Sequence, residues 1–163
     1  MPEHIILAHL RDAIPPENVL SHPEELRPYE CDGLSAYRRT PLAVVIPETL
    51  DEVRATLALC AEHTVPVVAR GAGTGLSGGA LPVEGGVLLS MARFNRILGI
   101  DTANRCARVQ PGVTNLAISR AAEPHGLYYA PDPSSQIACS IGGNVSENAG
   151  GVHCLKYGLT VHN

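Results

Sequence analysis

The chain has 163 residues, 45% of them apolar and 17% charged, with a mean hydropathy of +0.07, a composition that excludes disordered and fibrous classes. That length suits one domain with a continuous core. The formal charge of −4 is uneven: residues 1–62 net −6 and the remainder +2. With no Trp, one Phe and one Lys, the weakly basic part lacks the basic, aromatic-laced stripe of a nucleic-acid binder and suits a phosphorylated small molecule.

In chain order, Glu3–Ala13 places Ile6, Leu7 and Leu10 on one helical face, and Pro15-Pro16 ends that helix. After the apolar pair Val19-Leu20 comes an acidic turn, and residues 1–38 read as an N-terminal helical arm. Leu42–Ile46, bounded by Pro41 and Pro47, reads as a strand buried on both faces. Thr49-Leu-Asp-Glu52 is a capping box, followed by an apolar stripe of Val53, Leu57 and Cys60 with Leu59 nearby, so a helix is expected to about His63. Val65–Ala69 is the next strand, and residues 42–69 therefore form a β-α-β unit with parallel strands. Strands are also expected at Val87–Ser90, Gly99–Asp101 and Arg105–Gln110, with a helical turn over Arg93–Ile97. Thr114 caps a further helix reaching His125.

The second strand of the β-α-β unit empties into Arg70-Gly-Ala-Gly-Thr-Gly-Leu-Ser-Gly-Gly79. Glycines allow positive φ and close approach, so successive main-chain N–H groups can converge on anionic oxygens. A Walker loop would need Lys-Ser/Thr after its last glycine, but the sole lysine is Lys156. A Rossmann loop would open a helix, yet Pro82 and Gly85-Gly86 interrupt the following residues, and the next strand lacks the ribose-binding acid. A second glycine-rich stretch, Ser140-Ile-Gly-Gly-Asn-Val-Ser-Glu-Asn-Ala-Gly-Gly151, offers small residues, hydroxyls and amides. Two such cradles imply an extended dinucleotide. A β-branched residue at Gly73 is expected to abolish cofactor retention by placing Cβ in the path of the diphosphate.

The remaining chemistry-bearing residues carry less. Cysteines 31, 60, 106, 139 and 154 are odd in number and form no CxxC pair, which argues against a disulfide framework and a zinc ribbon. His153 and His162 flank Cys154 at a spacing that matches no standard ligand set, so no metal is assigned. Apolar runs are too short to span a bilayer and the first residues lack a signal-peptide pattern, so a cytoplasmic product without a membrane span is expected.

Taken with Gln110-Pro-Gly112 and Pro131-Asp-Pro-Ser134, the two glycine stretches resemble the FAD-binding domain of the vanillyl-alcohol oxidase class of flavoenzymes, and within it the FAD-linked subunits of bacterial glycolate oxidases, which are D-2-hydroxy-acid dehydrogenases. The resemblance covers nearly the whole chain, from Pro28–Tyr37 to His153–Asn163. It implies an α+β FAD-binding domain beginning with the β-α-β unit, occupying residues 39–163 and incomplete at its C-terminal end. In that class the first loop, here Arg70, Gly71, Ala72, Gly73, Thr74, Gly75, Leu76 and Ser77, wraps the FAD diphosphate through backbone N–H groups. The residues matching the other cofactor contacts are Pro131, Asp132, Ser135, Ser140, Gly142, Gly143, Asn144, Asn148, Gly150 and Gly151. Some relatives attach flavin through a histidine in the first loop, where Thr74 stands here, so non-covalent FAD is expected.

Members of the class are longer, with further strands and a substrate cap after this region, so no residue of this chain is assigned as catalytic. The resemblance implies oxidation of glycolate or D-lactate only with that cap, and partnership with a second flavin-type subunit and an iron–sulfur subunit, through which any membrane association would come. A non-catalytic fragment or assembly module is the competing reading. A module binding ADP or NAD is disfavoured by the missing Rossmann helix and acid.

Overall fold

The computed structural model describes residues 2–163. The chain packs as two compact units, Met1–Arg93 and Phe94–Asn163. In chain order the first contains α1 (Pro2–Ala13), β1 (Val19–Leu20), α2 (Pro23–Leu26), β2 (Ala43–Val45), α3 (Leu50–Glu62), β3 (Val67–Arg70) and β4 (Val87–Ser90). Its strands form one sheet in the order β1-β2-β4-β3. Both β2 and β3 run parallel to β4, while β1 is antiparallel to β2. The expected β-α-β unit is present as β2-α3-β3, with β4 inserted between its two strands: Leu88 pairs with Val44 on one side and Val68 on the other.

Alternate residues of a strand face opposite sides of a sheet, and here both sides are covered. Ala43, Val45, Val87 and Leu89 join Ile6, Leu10 and Ile14 of the N-terminal region with Val19 and Cys60 in one buried cluster. Val44 and Leu88 face the other way and pack with Leu26. This two-sided burial is why β2 and β4 read as unbroken apolar runs.

Helix α3 begins where its capping box places it. Thr49 Oγ1 accepts from the Glu52 backbone N–H at 3.2 Å, while Glu52 Oε2 accepts from the Glu48 N–H at 3.0 Å. Its buried face differs from the expected stripe: Leu57 is exposed, and Thr56 takes the interior position with its hydroxyl donating to Glu52 O at 2.8 Å. That bond removes the cost of burying the hydroxyl.

The second unit contains β5 (Ile97–Asp101), β6 (Cys106–Val109), α4 (Asn115–Ala122), α5 (Ile141–Glu147) and α6 (Cys154–Tyr157). Strands β5 and β6 form an antiparallel pair. The helical turn expected over Arg93–Ile97 is absent, because Ile97 already opens β5 opposite Val109. At the hairpin, Asp101 accepts from both the backbone N–H and the side-chain amide of Asn104, at 2.9 and 2.7 Å, and these bonds outweigh desolvation to hold its carboxyl below the usual carboxylate range. Thr114 caps α4, which ends at Ala122; a 3₁₀ turn over Glu123–His125 and Gly126 at φ +69° complete the segment. Among the described residues no helix is long and apolar enough to cross a membrane.

Candidate functional site

The first glycine loop leaves the C-terminal end of β3, whose last residue, Arg70, pairs with Ser90. The side chain of Arg70 turns inward. It is 9% exposed, its Nη1 donates to Cys31 O at 2.7 Å and Ala80 O at 3.3 Å, and Cζ lies 5.7 Å from the Tyr29 ring centroid. Gly73 adopts φ +68°, and a Cβ built there would lie 2.4 Å from Arg70 Nη2. Glycine at 73 is thus favoured by its left-handed backbone, and an added Cβ would in addition meet the buried guanidinium beneath the loop. Gly71, Thr74 and Gly75 are half-buried, and Ala72, Leu76 and Ser77 are exposed. No helix occurs in residues 71–86, so the helix-led Rossmann arrangement is absent from this loop.

The second stretch is organised around α5, which the sequence reading left without a helix. Ser140 is its N-cap residue, and Asn148 ends it in the left-handed region at φ +52°. Two early donors are satisfied from outside the helix: Ile141 N–H by Val113 O and Gly142 N–H by Pro111 O, both at 2.8 Å. A Cβ at Gly142 would come within 2.8 Å of the Pro111 Cβ, so Pro111 and Gly142 are fitted against one another. The Asn148 side chain accepts from Val161 N–H at 3.0 Å, and Ala149 O accepts from the Thr160 hydroxyl at 2.6 Å. Ser140 and Asn144 are each 5% exposed, and the Asn144 Nδ2 amide is buried without a protein partner.

The Pro131–Ser135 segment packs onto the same stretch. Gly151 lies against Asp132, where an added Cβ would be 2.2 Å from Asp132 O; at Gly150 it would be 2.5 Å from Leu159 Cδ2. Asp132 Oδ2 contacts His153 Nδ1 at 2.6 Å, and Oδ1 accepts from the His153 backbone N–H at 3.2 Å. Desolvation pushes the Asp132 carboxyl upward, but the His153 ring and N–H outweigh it and hold the group below the usual carboxylate range. Pro131 O accepts from the buried Asn115 side chain at 2.9 Å, and Ser135 O accepts from Ala138 and Cys139. Ten of the sequence-selected residues are thus gathered in this unit around α5 and the 131–135 segment. Sequence reasoning missed Asn115 and the tie between Asp132 and His153; the two residues of that tie are 21 positions apart, and no local pattern joins them.

The α+β chain thus carries a glycine loop without a helix at the end of a parallel strand in its first unit, and a glycine stretch with a buried unpaired amide in its second. A family model described as FAD binding domain matches residues 41–163, and the chain belongs to that family. It is 69% identical over 158 residues to the glycolate oxidase subunit GlcD of Escherichia coli strain K12, covering 97% of this chain and 32% of the relative. A D-lactate dehydrogenase of Anaerostipes hadrus is 40% identical over 148 residues, covering 90% of this chain and 31% of that protein. The solved structure of alkyldihydroxyacetonephosphate synthase shares the fold at 20% identity with a TM-score of 0.83, over 96% of this chain and 34% of its own. The expected vanillyl-alcohol-oxidase-type FAD-binding fold stands, and FAD is the cofactor. The chain spans about a third of the length of the curated relatives it matches.

Proposed function

We propose that this chain is the FAD-binding portion of a glycolate oxidase subunit, a D-2-hydroxy-acid dehydrogenase that oxidises glycolate or D-lactate to the 2-oxo acid when joined to the part of its relatives it does not span. The observation that carries this reading is the 69% identity over nearly the whole chain to the Escherichia coli subunit, against 40% to the D-lactate enzyme, which favours glycolate. The resemblance to the glycolate oxidase class adds a second flavin-type subunit and an iron–sulfur subunit as the proposed partners.

Within this portion, Arg70–Ser77 and the residues of Pro131–Gly151 selected above hold FAD. Three features fit such a guest. The first loop carries no side-chain bulk at Gly71, Gly73 and Gly75, leaving its peptide groups open to close approach. Asn144 Nδ2 is a buried donor in need of an acceptor, and burying it unpaired costs about 1–3 kcal/mol. Thr74 offers no nucleophilic nitrogen at the loop position where some relatives attach flavin, so attachment is non-covalent. When bound, FAD supplies the hydride acceptor. The chain's own residues orient it and fix the cradle peptides through Arg70 and the Pro111–Gly142 contact.

A chimera in which residues 1–163 replace the matching portion of the Escherichia coli subunit tests this reading. Glycolate-dependent dye reduction by the chimera with its partner subunits is expected. A folded chimera that carries flavin but shows no glycolate-dependent reduction would contradict it.

A further inference from the structure

We propose that Tyr29–Leu34, which precedes the residues matched by the FAD binding domain family, is a positioning element that seats the first glycine loop and sets the direction of its N–H groups. The inference rests on the reading of Arg70–Ser77 as a FAD cradle. A Cβ built on Gly33 would lie 2.7 Å from both Thr74 O and Gly75 O, so the two backbones meet with no flexible side-chain atom between them.

A peptide group is planar and trans, with its C=O and N–H pointing in opposite directions. Turning the Thr74 and Gly75 carbonyls onto Gly33 therefore turns the N–H groups of Gly75 and Leu76 away from it, fixing the two donors proposed to cradle phosphate. Gly33 is held in turn by Asp32, whose Oδ1 accepts from the Leu34 N–H at 2.9 Å and closes an Asx turn. Asp32 is 6% exposed, so the turn is anchored in packed surroundings. A second tie joins the same segments: the Arg70 guanidinium donates to Cys31 O and lies over Tyr29. Gly33, Tyr29 and Arg70 thus act through the loop backbone, and none of them needs to touch the cofactor with its side chain.

The test uses the whole chain with Gly33→Ala, Tyr29→Leu, Tyr29→Phe and Gly73→Val. It reads the FAD dissociation constant from flavin fluorescence quenching, the melting temperature of the apo form, and the apo amide resonances of Gly75 and Leu76. Gly33→Ala is expected to weaken FAD binding roughly tenfold and to shift both resonances, because the loop must rise to admit Cβ. Tyr29→Leu is expected to weaken binding about threefold, and Tyr29→Phe, which keeps the ring, to match the parent. Gly33→Ala should also lower the apo melting temperature, because the obstacle is main chain, while Tyr29→Phe should leave it unchanged. Parent-like FAD affinity and unshifted resonances in Gly33→Ala overturn the proposal; if that variant does not fold, the same result in Tyr29→Leu does. Loss of FAD in Gly73→Val alone would leave the cradle and remove only its seat, whereas retention there would remove the cradle reading itself.

Discussion

Gly73 and Gly78 offer a controlled pair. Both hold positive φ, +68° and +77°, so alanine at either pays a left-handed backbone penalty of about 1–2 kcal/mol. At Gly78 that is the whole cost, since nothing lies within 4 Å of an added Cβ. At Gly73 the Cβ would meet Arg70 Nη2, Cζ and Nε at 2.4, 2.5 and 2.9 Å. The guanidinium would have to move off Cys31 O and Ala80 O, and a hydrogen bond from a charged donor contributes about 1.5–3 kcal/mol. Gly73→Ala should therefore exceed Gly78→Ala by about 2 kcal/mol, or about 4–8 °C in melting temperature for a chain of this size. Urea unfolding of both variants, and of both in an Arg70→Ala background, measures the difference. In that background the two alanines should cost the same, because the obstacle is gone. Equal costs in the parent background would refute the collision argument.

Three further outcomes are expected. Thr49→Ala should destabilise the chain by about 1–2 kcal/mol by removing the α3 cap, and Thr49→Ser should restore most of that in thermal melts. Because the Asp132 carboxyl is held below its ordinary value in the fold, it adds stability that is full above about pH 4 and is lost as pH falls through its depressed value. The stability gap between parent and Asp132→Asn should accordingly close as pH falls below about pH 4 in pH-resolved melting. With a thiol-reactive dye, exposed Cys106 should react first in the native chain, while Cys60, buried and with its thiol pushed up by desolvation, should react only on unfolding.

Legibility in the sequence followed the range of the interactions. Leu42–Ile46 and Val87–Ser90 read as strands because Leu42–Ile46 and Val87–Leu89 are unbroken apolar runs, and α3 and α4 announced their starts through Thr49 and Thr114. The insertion of β4 between β2 and β3 was not legible, since strand order depends on pairings between residues tens of positions apart. Nor was β1: Val19-Leu20 is two residues long, and only its antiparallel pairing with Val44 and Val45 makes it a strand. Helix α5 was hidden by Gly142 and Gly143, each a weak helix former, and is held by carbonyls of Pro111 and Val113 instead. Both glycine stretches stood out in composition, but the partners that crowd particular glycines, Arg70 at Gly73 and Asp132 at Gly151, appear only in three dimensions.

The most direct test of FAD holding by these two cradles is the visible spectrum of the purified chain after addition of FAD and desalting, followed by acid precipitation. The account predicts flavin absorbance retained through desalting and then released entirely into the acid supernatant. A folded chain that emerges colourless, or flavin that stays with the precipitate, would contradict it.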